Sequence, residues 1–325
     1  MKDKVRIGLI GAGLVAQHHM AVIQAMEGVE AVGVTSRTLS KAREFASKFA
    51  IPNAYASMDD LMSQAKPDAL MILVNEDQMF PVASQAISYG VPLFIEKPAG
   101  LTPEENRKLA ELAKAKGIGT MVGFNRRYYS IFHKGMDMIR QHGPLLGVSI
   151  EGHERMWRVR EGKKFSESVL QEWIYANSTH TIDLLRFFGG EIKSISSIAH
   201  SYIEKKGDQL AAVMELESGA IGQYSAHWYS PGGWRVVLYG DGVTVEFKPL
   251  ESGVWTDKKF QTHLIEPESY DQTFKVGFYQ QMIAFAKFVR EGKLSWPMQD
   301  LNGAYQTMIL AEKISLENKN SKVNA

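Results

Sequence analysis

Residues 5–16 read VRIGLIGAGLVA: six residues of strand character run straight into glycine, alanine and glycine, and then into a helical apolar pattern. A short buried strand, a tight turn and a helix that begins at once is the context of a dinucleotide fingerprint. Gly11 permits the turn, Gly13 lets the backbone approach a bound group, and the small Ala16 lets the helix pack close to the sheet. The helix N-terminus offers unsatisfied N–H groups and the positive end of its dipole, which suits a pyrophosphate. Gly11, Ala12, Gly13, Leu14 and Val15 are the candidate loop.

The same rhythm continues downstream. Apolar runs at 6–10, 31–35, 69–74, 93–95 and 119–122 have the length of buried strands, and helical spacing fills 16–26, 40–49, 58–63, 80–89 and 103–116 between them. Thr102-Pro103-Glu104-Glu105 has the form of a helix start. Alternating strands and helices imply parallel strands joined by right-handed crossovers, so residues 1–123 read as a doubly wound α/β (Rossmann) domain. After 123 the pattern changes. Strand-like segments at 146–151, 192–200, 209–217, 220–228, 234–239, 244–247 and 260–265 are punctuated by turns such as Ser218-Gly219 and Asp241-Gly242. Helical segments are expected at 131–141, 172–188, 275–291 and 302–318, with a frayed tail at 319–325. Residues 124–325 read as a second, α+β domain with a large, open, mainly antiparallel sheet. The Met and Phe residues of 278–288 fall at helical spacing and read as core.

A chain of 325 residues has the length of two domains. Lys and Arg number 37 against 36 Asp and Glu, a formal charge of +1, which argues against a nucleic-acid partner. There is no cysteine, which excludes disulfides, thiolate metal sites and a thiol nucleophile. No His, Asp and Glu cluster has metal spacing, and no metal is expected. The N-terminus lacks the form of a targeting peptide and no stretch reaches a membrane span, so a cytoplasmic location is expected.

The second strand ends in Ser36-Arg37, where NAD-specific sites place an acid on the ribose 2′-hydroxyl. A small hydroxyl followed by arginine suits a 2′-phosphate, with Lys41 near on the next helix. Arg37 stacked on adenine is the alternative, so the cofactor reads as NADP or NAD, leaning to NADP.

Glu96-Lys97-Pro98 closes the strand at 93–95, Gly123-Phe124-Asn125-Arg126-Arg127-Tyr128 enters the second domain, and Tyr239-Gly240-Asp241-Gly242-Val243-Thr244 forms a later strand-turn-strand. With the glycine loop and the run from Gln299 through Ala304 to Ala311, these segments resemble the Gfo/Idh/MocA family of oxidoreductases over nearly the whole chain. The resemblance implies that Lys97 points at the reacting carbon, with a cis bond to Pro98, and that its ammonium stabilises charge on the substrate oxygen. It also implies a catalytic histidine at His180, suited to move the hydroxyl proton. Family members usually carry an acid four residues before that histidine, and this chain has Ala176; Asn177, Glu172 or the substrate itself would have to compensate, while Asp183 is expected to be structural. Asn75-Glu76-Asp77 replaces the family's small hydroxyl residue, proline and asparagine, yet the backbone at Asn75 is still expected along the nicotinamide ribose. Glu96 and Lys97 complete the expected cofactor contacts.

The substrate implied is a polyol or sugar: a sugar, sugar acid, nucleotide sugar or cyclitol. Residues 153–164 read HERMWRVREGKK, five basic residues against two acidic ones around Trp157, a local charge of 5 − 2 = +3 that suits an anionic substrate as well as a solvated loop. Arg126, Arg127, Trp157, Asn177 and His180 are the substrate-side candidates. The aromatic turn at 228–234, WYSPGGW, suits either a cleft rim or a subunit contact. By resemblance, a homodimer or homotetramer joined through the open sheet face is expected, with the site in the cleft between domains. Two other functions share the fold: an NAD-dependent glycoside hydrolase, and a dinucleotide-binding regulator without chemistry.

Overall fold

The computed structural model describes residues 4–316. The tail at 319–325 and the end of the helix expected at 302–318 lie outside the described residues. Two compact units are present, Met1–Tyr128 with Tyr270–Tyr305, and Tyr129–Ser269 with Gln306–Ala325.

The first unit holds six strands, β1 (Val5–Ile10), β2 (Val29–Thr35), β3 (Ala54–Tyr55), β4 (Ala69–Ile72), β5 (Leu93–Ile95) and β6 (Thr120–Val122). They form one parallel sheet in the order β3-β2-β1-β4-β5-β6. The main crossover helices are α1 (Leu14–Ala25), α2 (Leu39–Lys48), α3 (Met79–Ile87) and α4 (Pro103–Lys116). Strand order reverses between β1 and β4, and open α/β sheets bind ligands in the crevice at such a point. α4 starts as its sequence implies: the Thr102 hydroxyl accepts the Glu105 N–H at 3.2 Å, with proline in the first turn. β3 escaped the reading because two residues carry no periodicity.

The helix Phe278–Glu291 belongs to this unit, although it falls within the 124–325 segment read as the second domain. Its buried Phe278, Met282, Phe285 and Phe288 join the cluster of Met20, Phe94 and Met121. Gly119 makes room for it, since a Cβ there would lie 2.7 Å from the Phe288 ring. An apolar stripe says that a helix is covered, not which sheet covers it.

The second unit contains β7 (Leu145–Gly152), β8 (Ile192–His200), β9 (Gln209–Leu216), β10 (Ile221–His227), β11 (Trp234–Gly240), β12 (Val243–Phe247), β13 (Gly253–Thr256) and β14 (Thr262–Ile265). The sheet order is β14-β13-β12-β11-β7-β10-β9-β8, antiparallel except for the parallel pair β7 and β10. In β9, Leu210, Ala212, Met214 and Leu216 are buried and the alternate residues exposed, the period-2 pattern of a sheet covered on one face. Helices α5 (Ser130–His142) and α6 (Thr179–Gly189) supply the cover, with the Phe132 ring 4.7 Å from Phe247 and 5.3 Å from Phe188. No helix among the described residues is long and apolar enough to cross a membrane.

Candidate active site

In the first unit, a cavity of about 480 Å³ opens at the carboxyl ends of β1, β2 and β4. Gly11, Ala12, Gly13, Ser36, Arg37 and Asn75 line it, joined by Lys41, Ser57 and Gln78. Six of the residues expected to touch the cofactor are thus brought together. Gly11 has φ +114°, and a Cβ there would sit 2.3 Å from the Leu73 carbonyl oxygen, so only glycine fits. Gly13 differs: its backbone is extended (φ −88°) and a Cβ would meet nothing within 4 Å. The space beside it is room for a ligand. Gly13 caps α1 without a side-chain hydrogen bond, leaving the first N–H groups to a bound phosphate. These features fit a dinucleotide. Leu14 is 69% exposed at the helix start, and neither it nor Val15 lines the cavity.

Two cations stand where β2 ends. Arg37 and Lys41 both line the cavity, and neither forms an ion pair among the described residues. The Ser36 hydroxyl donates to the Thr38 carbonyl at 2.8 Å, which shapes the turn that presents Arg37.

Lys97 follows β5, and its bond to Pro98 is cis, as the resemblance implies. Glu96, expected at the cofactor, instead turns its carboxylate inward: Oε1 lies 2.8 Å from the His19 Nε2, and Oε2 accepts the Lys97 backbone N–H at 3.1 Å. Neither Glu96 nor Lys97 lines the cavity. His19 escaped the sequence reading because one histidine on the inner face of an amphipathic helix gives no signal of its partner.

Arg127 was a substrate candidate on sequence grounds and is 2% exposed. Its guanidinium bonds the Gln299 amide oxygen at 2.8 and 2.7 Å and the Pro297 carbonyl at 3.4 Å. It ties the segment after the Phe278–Glu291 helix to the turn at 125–128, so these bonds occupy the guanidinium in holding the two segments together. Arg126 reaches the Asn125 carboxamide at 3.1 Å.

In the second unit, His180 lies in the first turn of α6, 7% exposed, its ring 5.9 Å from that of Trp234. The helix expected at 172–188 is not continuous, because a wide π turn at Ile174–Ser178 precedes α6. Such insertions cluster at functional sites. Glu172, a candidate to replace the absent acid, is ion-paired with Lys206 at 2.5 Å. Asn177 is committed elsewhere as well, donating to Glu154 at 2.5 Å. The buried Glu154 carboxylate also accepts from Ser178 Oγ at 2.7 Å and Trp173 Nε1 at 3.1 Å, so it braces the turn that leads into His180. Asp183 is structural, accepting from the Thr307 hydroxyl at 2.9 Å beside Arg186. Burial, then the Glu154 charge, pushes the Tyr224 phenol far above its usual value, and its hydroxyl pairs with Thr181 at 3.3 Å.

The basic stretch at 153–164 carries less available charge than its composition implies. Arg160 forms a two-pronged pair with Glu204, at 2.8 and 2.6 Å, and Arg155 bonds the Gly232 carbonyl. Arg158, Lys163 and Lys164 remain as candidates to meet an anion. Trp157 lies half-buried on the short helix Met156–Glu161. Among the described residues, no group of three or more His, Asp or Glu side chains could hold a metal ion.

Residues 5–124 match the oxidoreductase family model with an NAD-binding Rossmann fold, and residues 141–246 match the model of the Gfo/Idh/MocA C-terminal domain. The chain belongs to the Gfo/Idh/MocA family of oxidoreductases. Inositol 2-dehydrogenase of Corynebacterium glutamicum is 24% identical over 309 residues, covering 90% of this chain and 88% of that protein. Trans-1,2-dihydrobenzene-1,2-diol dehydrogenase of Mus musculus is 30% identical over 139 residues, 42% of this chain and 40% of that enzyme. Levoglucosan dehydrogenase in complex with NADH has the same fold, with a TM-score of 0.80 at 17% identity over 96% of each chain. As a Gfo/Idh/MocA member, the chain is an NAD(P)-binding oxidoreductase.

Proposed function

We propose that the protein is a dehydrogenase or reductase of a polyol or sugar: a sugar, sugar acid, nucleotide sugar or cyclitol. The observation that carries the reading is the cavity at the β1–β4 switch point, bordered by an uncapped helix N-terminus, in a sheet that also presents Lys97 at the end of β5. A bound nicotinamide supplies the hydride acceptor or donor at a carbinol carbon. The Lys97 ammonium hydrogen-bonds the substrate oxygen and stabilises the charge that grows there. The His180 imidazole takes the hydroxyl proton, or returns it in the reductive direction. Arg126 and Trp157 complete the substrate side, with Arg158, Lys163 and Lys164 receiving an anionic group. The inositol and levoglucosan dehydrogenases among the relatives support this substrate class. The test is cofactor absorbance against a panel of inositols, levoglucosan, sugar acids and UDP-sugars. Turnover with one member is expected; release of an aglycone from a glycoside without net cofactor change would favour a glycoside hydrolase, and binding without any chemistry a regulator.

The cofactor is proposed to be NADP in preference to NAD, because Arg37 and Lys41 flank the place where an acid would hold a 2′-hydroxyl. Arg37→Asp should weaken NADPH by about 1–3 kcal/mol while leaving NADH within about threefold. Fluorescence titration of both cofactors measures this, and an equal loss of both would refute the 2′-phosphate role.

A cytoplasmic homodimer or homotetramer is the expected state. Ile198, Val213, Ile221, Tyr239 and Leu264 are exposed on the strands of the open sheet, an apolar surface that suits a second copy. Light scattering should return a mass at least twice the monomer's, and Ile221→Asp should lower it.

A further inference from the structure

We propose that His19 is a positioning residue for Lys97, acting through Glu96; the inference rests on the reading of Lys97 as the group at the substrate oxygen. His19 has no exposed surface and lies between the rings of Phe94, 5.1 Å away and edge-on, and Phe278, at 4.6 Å. Its Nδ1 is buried with no hydrogen-bond partner among the described residues, so its polar contact is made through Nε2, 2.8 Å from Glu96 Oε1. That contact places the ring proton on Nε2. The second carboxylate oxygen takes the Lys97 N–H at 3.1 Å. Gly123 reserves the space, since a Cβ there would lie 2.8 Å from Oε2.

Packing alone does not call for this arrangement. A leucine would fill an aromatic-lined pocket without the desolvation cost of an imidazole and a carboxylate. What the pair adds is a fixed backbone at residue 97. A carboxylate accepts on both sides, whereas an amide at position 96 has one accepting oxygen and must turn its NH₂ toward either the imidazole N–H or the Lys97 N–H. His19 also sits on α1, the helix that opens at the glycine loop. One rigid helix therefore carries both the N–H groups that face the cavity and the ring that holds the lysine's strand end.

His19→Leu, His19→Gln and Glu96→Gln test the proposal with two readouts. The first needs no substrate: acetylation of Lys97 by acetic anhydride, followed by mass spectrometry and normalised to the exposed Lys108. The second is kcat and KM on the best substrate of the panel. His19→Leu and Glu96→Gln should change relative Lys97 acetylation by about threefold or more and lower kcat by roughly 10–100-fold, as loss of a supporting hydrogen bond does elsewhere, with the dinucleotide KM within about threefold. His19→Gln, whose amide N–H can take the place of Nε2–H, should recover most of both. Unchanged acetylation in folded His19→Leu, or a His19→Gln variant as impaired as His19→Leu, would overturn the proposal. If His19→Leu does not fold, the near-isosteric Glu96→Gln decides through the same readouts. If the wild type turns over no panel member, the dehydrogenase reading fails, and acetylation alone decides the role of His19.

Discussion

Replacing Lys97 with alanine is expected to lower kcat/KM by roughly 10²–10⁴-fold while leaving dinucleotide affinity within about threefold. The size follows from what an ammonium does at a developing alkoxide: its interaction is stronger in the transition state than in the ground state, so its loss falls on the chemical step. The separation of effects follows from position. Lys97 stands after β5 and is not among the residues lining the cavity at β1, β2 and β4. Lys97→Arg should not rescue fully, because a planar fork does not replace a compact charge held by a fixed backbone. Steady-state kinetics beside a cofactor titration make the comparison. A variant that keeps its activity, or one that loses affinity as far as activity, would show that Lys97 has another role.

Gly11→Ala and Gly13→Ala should fail in opposite ways. At Gly11 the backbone holds φ +114° and a Cβ would stand 2.3 Å from the Leu73 carbonyl oxygen, while the Gly11 N–H donates to Thr35 at 2.8 Å. The strand end cannot shift without losing that bond, so strain and overpacking together should cost about 2–5 kcal/mol of stability. At Gly13 the conformation is one that alanine adopts, and the methyl group would enter open space. Stability should change by less than about 1 kcal/mol, whereas dinucleotide affinity should fall at least about tenfold because the methyl group occupies the space kept for phosphate. Thermal unfolding and NADH titration of both variants give the four values. Equal destabilisation by the two would contradict the distinct roles assigned to these glycines.

The first unit was legible because each of its signals is local. Strand, glycine turn and helix lie within residues 5–16, the cap at Thr102 within four residues, and Ser36-Arg37 ends a strand whose place follows from the alternation of elements. What escaped was carried by contacts distant in sequence. The His19–Glu96 bond spans 77 residues, and nothing near His19 announces it. Arg127 reads as a substrate donor because family relatives use its segment at the substrate, yet residues 297–299 bond its guanidinium from the other end of the chain. The charge at 153–164 left an anion site and a solvated loop equally open, and the partner that neutralises Arg160, Glu204, lies 44 residues away from it. Glu154 counts as one of two acids in a basic loop, but its three donors, the buried Trp173 and Ser178 and the half-buried Asn177, make it part of the scaffold before His180. Composition records charge, and only the fold says which charges are already spent on each other.

The most direct test of the central claim follows the hydride itself. The panel substrate that is turned over would be prepared with deuterium on its carbinol carbon and incubated with the wild-type protein and oxidised cofactor, and the nicotinamide would be analysed by mass spectrometry and proton NMR. The account predicts one deuterium at C4 of the reduced nicotinamide, on a single face, with none gained from heavy water. Reduced cofactor that carries solvent deuterium at C4, or product formed with the label still on the substrate carbon, would contradict it.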